Sequence, residues 1–320
     1  MGYIGRGSHR RQTGGFRPAA QLPEDQKADR GQGSQAEMTG HATNHVIHRP
    51  LKRFGQHFLA SPAVARRIVD AAGITGEDAV LEIGPGRGIL TDLIAERAGW
   101  LVAVELDRNL ARELAARYHG RRRVRIIQGD FLETVTSALG LPVGGRAVAV
   151  SNLPYNAAVP IMERLLENRD RFSRMVLMIQ REVAWRMAAG PGTRDYGSLS
   201  VFIQAKAEVE KLFDVRPGSF LPPPKVVSTV VRLAPLARRR LAPAEESHFH
   251  AFVRACFSYR RKTLGAGLRQ ALKADKGTVS KIGERSGLDL SRRAESLSIG
   301  EFTALFRAAR ATTAGEDEGC

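Results

Sequence analysis

The residues with the sharpest chemical meaning are Ser151-Asn152-Leu153-Pro154-Tyr155-Asn156. An aromatic amine such as adenine N6 is a poor nucleophile, because its lone pair is delocalised into the ring. The Asn152 side-chain oxygen and the Leu153 carbonyl can each accept one amine hydrogen and draw the lone pair toward a methyl donor. Pro154 fixes the backbone so that both acceptors converge, and it pushes Leu153 into an extended conformation. Tyr155 can then stack on a base taken out of its helix. The plainer reading of the same run is a strand-ending turn in which Asn156 caps a helix.

Three other short runs carry compatible chemistry. In Glu82-Ile83-Gly84-Pro85-Gly86-Arg87-Gly88 an apolar strand enters a glycine turn, where the backbone can approach a ligand closely. Gly84, Gly86 and Gly88 give G-x-G-x-G and not the G-x-G-x-x-G of nicotinamide sites, which favours a nucleoside ligand without pyrophosphate. Glu105 and Asp107 follow the next apolar run. A carboxylate there accepts two ribose hydroxyls, while Asp107 suits the start of a helix. Asp130, in Gln128-Gly129-Asp130-Phe131, can accept from an adenine amine or simply form a turn. Together these runs describe an S-adenosylmethionine site better than a dinucleotide site.

Such residues must sit at the carboxyl ends of strands, and the chain is patterned to put them there. From Arg49 onward, short apolar runs alternate with helical periodicity, which predicts an α/β sheet with crossover helices. Parallel strands are expected at Ala79 to Ile83, Leu101 to Glu105, Val124 to Gln128, Ala147 to Ser151 and Met175 to Gln180. Helices are expected near Gly88 to Arg97, Arg108 to Tyr118 and Val159 to Asn168. Strands around Ser200 to Phe213 and Val226 to Leu233 should form an antiparallel hairpin at the sheet edge. Ala234 to Ala242 reads as a basic, proline-punctuated linker, and the chain beyond it has only helical spacing. The expected domains are a sheet domain over 49–235, a small all-α domain over 243–310, and disordered ends at 1–48 and 311–320.

Composition limits the partners. The 320 residues hold 49 Lys plus Arg against 33 Asp plus Glu, a formal net charge of +16, which points to a polyanion: nucleic acid or an anionic membrane surface. No run of about eighteen apolar residues is present, so no membrane span is expected. Cys256 and Cys320 are too few for a disulfide framework or a cysteine-rich metal site, and they suit a reducing cytosol. The segment from Met1 to His48 has six basic and four acidic residues and almost no apolar periodicity, leaving +14 for the remainder. Met38 is expected to be the native start. Intact mass of the protein from its natural host checks this, and a mass including Met1 would contradict it.

With these motifs in hand, the sequence resembles the ribosomal RNA adenine N6,N6-dimethyltransferases, in particular the bacterial type acting on the 16S rRNA of the small subunit. The resemblance is carried by Arg53 to Leu59, Glu82 to Thr91, Glu105 to Asp107, Gly129-Asp130, Asn152 to Tyr155, Gln180 to Ala184, Tyr196 to Val201, Phe220 to Val226, Phe257 to Leu264 and Arg293 to Glu295. It covers about Arg49 to Arg307. It implies a Rossmann-like class I S-adenosylmethionine-dependent methyltransferase sheet with a helical RNA-binding domain, and two methyls per adenine on two adjacent adenines of a hairpin near the 3′ end of 16S rRNA. It also implies cofactor contacts from His57, Leu59, Gly84, Gly86, Glu105, Asp130 and Asn152, and no metal. The family often has Asn where His57 stands and Thr where Leu221 stands. His57 is thus expected either to contact the cofactor with a pH dependence or only to pack beside it.

Phe220-Leu221-Pro222-Pro223-Pro224 is a stiff extended loop that can fix Phe220 as a second wall for the adenine opposite Tyr155; otherwise Phe220 belongs to the core. Catalysis would fall to Asn152, Pro154, Tyr155 and Phe220. Basic groups at Arg49, Lys52 and Arg53, at Arg121 to Arg123 with Arg125, at Arg238 to Arg240 and at Arg260 to Lys262 would grip folded RNA through its phosphates. The expected partner is 16S rRNA within a small subunit or its precursor, met in the cytoplasm by a monomer. Competing readings are a 23S rRNA resistance methyltransferase, a non-catalytic assembly factor of the same fold, and a nicotinamide oxidoreductase, which the glycine spacing disfavours.

Overall fold

The structure, a computed structural model, describes residues 57–142 and 147–317. The expectations for 1–48, for Arg49, Lys52 and Arg53, and for the last three residues lie outside these.

The described chain enters through β1 (Phe58–Leu59) and α1 (Pro62–Ala72). Ser61 starts this helix, its hydroxyl accepting from the Val64 amide, with Pro62 in the first turn, where a missing N–H does no harm. Then β2 (Ala79–Ile83), α2 (Ile89–Arg97), β3 (Trp100–Glu105), α3 (Arg108–Arg117), β4 (Val124–Gln128), β5 (Ala147–Asn152), α4 (Ala158–Glu167) and β6 (Phe172–Gln180) alternate as strand and helix. The five strands from β2 to β6 are parallel, and β2, β3 and β5 in the middle of the sheet are buried on both faces, as their apolar runs require, while β4 at the edge is only partly covered. Along β2, Leu81 and Ile83 pack on one face with Met162 and Leu165 of α4, while Val80 packs on the other with Ile68 of α1 and Ile94 of α2. Each side chain buried in this way contributes about 1.5–3 kcal/mol.

Next come α5 (Arg181–Ala188), α6 (Ser198–Gln204), β7 (Ala207–Val215), β8 (Phe220–Leu221) and β9 (Ser228–Pro235). The main sheet runs β4-β3-β2-β5-β6-β9-β7, with β9 antiparallel to both β6 and β7. The edge pair is thus antiparallel as expected, but it is not one tight hairpin, because β8 leaves the sheet to pair with β1. The strand expected from Ser200 is corrected: Ser198–Gln204 is helical, and β7 begins at Ala207. Leu199, Ser200, Val201, Phe202 and Ile203 are all buried, so this helix shows no polar stripe and reads as an apolar strand.

The C-terminal region is helical: α7 (Pro243–Ser258), α8 (Leu264–Leu272), α9 (Lys276–Ser286) and α10 (Ile299–Asp317). Its core joins Phe249, Val253, Phe302 and Phe306 to Tyr196, Val201 and Ala205, so residues from before the linker complete it. Tyr196 is fully buried and donates to the Leu297 carbonyl at 2.7 Å. On α7, Glu246 forms ion pairs with Arg169, Lys206 and Arg239, tying the helix to the sheet layer. The last helix continues to Asp317, so 311–317 is not the disordered tail expected there.

Candidate active site

β2 pairs with β3 on one side and β5 on the other, so the winding direction reverses at β2, and a crevice opens beyond the carboxyl ends of these strands. The crevice has a volume of about 150 Å³. His57, Gly84, Gly86, Glu105, Asp130, Asn152, Pro154 and Tyr155 all line it. Four separate strand ends therefore converge on one space.

The glycine turn follows β2 directly. Gly86 has φ +58°, and a Cβ there would lie 2.9 Å from the Phe58 ring, so both conformation and space demand glycine. Its N–H donates to Glu105 Oε2 at 2.9 Å, and the Asp107 N–H donates to Oε1 at 2.9 Å. Glu105 is thus held between two amides at the end of β3. Burial raises its pKa, while those amides oppose the rise. Asp107 caps α3 by accepting from the Asn109 and Leu110 amides, while Glu105 is the carboxylate of the two that lines the crevice. Asp130 makes both of its expected uses compatible: Oδ1 accepts from the Leu132 amide at 2.8 Å in a turn, and the residue still lines the crevice.

Asn152 closes β5. Its Nδ2 donates to the His57 carbonyl at 3.2 Å, which assigns the two ends of the amide and turns Oδ1 to the acceptor role. The Leu153 amide donates to the Met178 carbonyl at 3.1 Å, anchoring the following turn to β6. Tyr155 shares a 2.6 Å hydrogen bond with Ser228 of β9, and burial raises its pKa, so the phenol stays neutral. His57 hydrogen-bonds the Pro222 carbonyl through Nδ1 at 2.9 Å, and its ring centroid lies 5.6 Å from that of Tyr155.

Two sequence expectations are changed here. Phe220 is 3% exposed and packs in the core with Leu59, Val215 and Val230, so it is not a wall of the crevice. Its partner in the β1–β8 ribbon is Leu59, and that pairing holds the His57 segment in place. The ring beside Tyr155 is instead that of His57. Leu59 lines an adjoining cavity of about 20 Å³ with Glu82, Gly84, Gly86 and Asn152.

Three residues of the site escaped sequence reasoning. Leu106 and Leu132 are 46% and 37% exposed beside Glu105 and Asp130, an apolar pair suited to hold a flat ring. An exposed leucine immediately after a strand-end acid, or two after it, is the signal that could have revealed them. Glu82 is 1% exposed, and its Oε2 has no hydrogen-bond partner among the described residues. Burial pushes its pKa up to about 8, and the charges of Glu105 and Asp92 add to the rise. Among the described residues no group of three His, Cys, Asp or Glu side chains is placed to hold a metal, and no helix is long and apolar enough to cross a membrane.

Residues 47–309 match the family described as ribosomal RNA adenine dimethylase. The chain belongs to the ribosomal RNA adenine dimethylase family. It is 44% identical over 262 residues to the "Ribosomal RNA small subunit methyltransferase A" of Geobacter metallireducens, covering 81% of this chain and 95% of that one. Among solved structures it is similar to a dimethyladenosine transferase from Plasmodium falciparum (28% identity, TM-score 0.69, 80% of this chain and 98% of that one). It is also similar to the 23S rRNA methyltransferase ErmE (25% identity, TM-score 0.60, 79% and 99%). The fold is thus the Rossmann-like methyltransferase sheet with a helical C-terminal region.

As a member of this dimethylase family the chain is an S-adenosylmethionine-dependent rRNA adenine dimethyltransferase. The site fits that cofactor on its own chemistry. An orphaned buried carboxylate oxygen at Glu82 suits a cationic ligand, Gly84 and Gly86 line the crevice with bare backbone, and Glu105 offers acceptors for hydroxyls. When bound, the cofactor supplies an electrophilic methyl on a sulfonium.

Proposed function

We propose that this dimethylase acts on two adjacent adenines in a hairpin near the 3′ end of 16S rRNA, within a small ribosomal subunit or its precursor, as a cytoplasmic monomer serving ribosome biogenesis. The observation that carries the catalytic part is the bond from Asn152 Nδ2 to the His57 carbonyl. It fixes Oδ1 as an acceptor before substrate arrives, so the amine meets a pre-oriented partner. The Leu153 carbonyl accepts the second amine hydrogen, Pro154 sets the angle between the two acceptors, and Tyr155 stacks on the base. No strong base is needed, because the proton leaves after the amine has become cationic. His57, Leu59, Gly84, Gly86, Glu105, Asp130 and Asn152 would hold the cofactor, with Leu59 acting through the adjoining cavity. Phe220 would serve as a positioning residue through the β1–β8 ribbon.

The small-subunit assignment is supported by the names of relatives at 40–44% identity, all "Ribosomal RNA small subunit methyltransferase A". The likeness to the 23S enzyme is weaker in identity than these, and weaker in identity and TM-score than that to the dimethyladenosine transferase. For the grip on RNA, Arg121, Arg122, Arg123 and Arg125 are exposed at the entrance of β4, as are Arg261 and Lys262 after α7. Arg239 is engaged by Asp170 and Glu246, so it serves the fold and not the RNA. The test is incubation with labelled S-adenosylmethionine and undermethylated small subunits, followed by mapping of dimethyladenosine. Label in 23S rRNA alone would overturn the assignment.

A further inference from the structure

We infer that Trp185, backed by Lys211, is a stacking platform for a nucleotide flanking the target adenine. This rests on the reading of the chain as an RNA adenine methyltransferase and adds a contact outside the catalytic crevice.

Six large apolar side chains are exposed among the described residues: Leu106, Leu132, Val135, Trp185, Leu221 and Val226. Leu106 and Leu132 line the crevice, and Leu221 belongs to the β8 ribbon. Trp185 is the one aromatic among the six, and half of its surface is open to water. Half of the indole is thus left uncovered by the other described residues.

Its place in the fold is what points to RNA. Tyr155 is bonded to Ser228, Ser228 pairs with Gln180 at the end of β6, and the next residue, Arg181, donates its amide to the Val227 carbonyl at 2.9 Å. The start of α5 therefore lies against the rim of the base site. Trp185 follows Arg181 by four residues, one helical turn, while Ala184 and Met187 are turned into the core. Arg181 and Trp185 thus share an outward stripe leading away from the rim. Lys211 Nζ sits 4.0 Å from the indole centroid, so a cation covers one part of the ring while the remainder stays open. A base has a π-face to lay on that indole, and its phosphate finds the ammonium close by. Flipping one adenine into the site unstacks its neighbours, and a platform at the rim gives one of them a new partner.

The experiment uses the full chain and a hairpin RNA with two adjacent adenines in its loop. The protein has two tryptophans, and Trp100 lies at the amino end of β3, the opposite end of the sheet from the crevice, so a quench caused by RNA at the rim reads Trp185. The RNA should quench the wild-type emission, and Trp185→Phe should abolish that quench. Trp185→Ala should raise the KM for RNA about 5- to 150-fold, the factor that stacking of one base supplies, with kcat at saturating RNA and cofactor affinity unchanged. A quench that survives in Trp185→Phe, or an unchanged KM in Trp185→Ala, would overturn the inference. So would a Trp185→Ala defect seen on intact small subunits but not on the naked hairpin, because the indole would then be docking a protein. If the hairpin is bound and quenches the indole but is never methylated, the substrate reading fails while the platform stands.

Discussion

Glu82 offers a prediction whose size follows chiefly from burial, with the charges of Glu105 and Asp92 adding to it and the Thr91 hydroxyl opposing it. Its side chain is 1% exposed, one carboxylate oxygen lacks a partner among the described residues, and its pKa is raised from 4.5 to about 8. Between those values the unfolded chain, with its ordinary glutamate, binds fewer protons than the folded one, so stability falls as pH rises. The contribution is fully present below about pH 4.5 and is lost as pH climbs through about 8. This single group supplies a slope of up to about 1.4 kcal/mol per pH unit, or at most about 4 kcal/mol between about pH 5 and about pH 8. Glu82→Gln removes the ionisation while keeping the shape. In urea titrations at several pH values, the variant should gain on the wild type steadily across that window. A cationic cofactor favours the ionised carboxylate, so binding to the wild type should release protons, seen as a dependence of the calorimetric enthalpy on buffer, and Glu82→Gln should lose that release. Parallel stability curves for the two proteins would refute the reasoning.

Three further outcomes are expected. Gly86→Ala must place a methyl 2.9 Å from Phe58 at positive φ, a strain of about 1–2 kcal/mol, so cofactor affinity measured by calorimetry should fall about 5- to 30-fold. Glu246→Gln leaves the buried Arg169 and Lys206 without their anion and should destabilise the chain by about 3–5 kcal/mol in chemical denaturation. Changing Arg121, Arg122 and Arg123 together to Glu should weaken rRNA binding and lower the slope of log affinity against log salt by about 0.7–0.9 for each phosphate no longer neutralised, with cofactor affinity unchanged.

Much of the site was legible because the strands read as short runs rich in apolar residues, nearly continuous in the middle of the sheet and broken by Arg125 at its edge, whose ends are easy to locate. Ala79–Ile83 and Val124–Gln128 lie where their runs end, so Gly84, Glu105, Asp130 and Asn152 could be placed at one edge of a sheet from the sequence. The helix Ser198–Gln204 was not legible for the opposite reason: burial all round erases the polar stripe that marks a helix. Phe220 was misplaced because a stiff proline loop says that the backbone is held, not which way the ring turns. Arg239 looked like part of an RNA patch, since no local pattern shows that Asp170 and Glu246, distant in sequence, meet it in space. Glu82 was passed over because a strand-end acid carries no mark of burial until the sheet above it is built.

The pre-oriented amide of Asn152 is the centre of the catalytic account, and one comparison tests it most directly. Wild type and Asn152→Ala are each incubated with labelled S-adenosylmethionine and undermethylated small subunits, with cofactor affinity measured alongside. The account predicts dimethyladenosine in 16S rRNA with the wild type and a loss of about a hundred- to a thousandfold in kcat for the variant, the size seen when one pre-oriented hydrogen-bonding group at a reacting centre is removed. Near-normal transfer by Asn152→Ala, with its fold and cofactor binding intact, would contradict it.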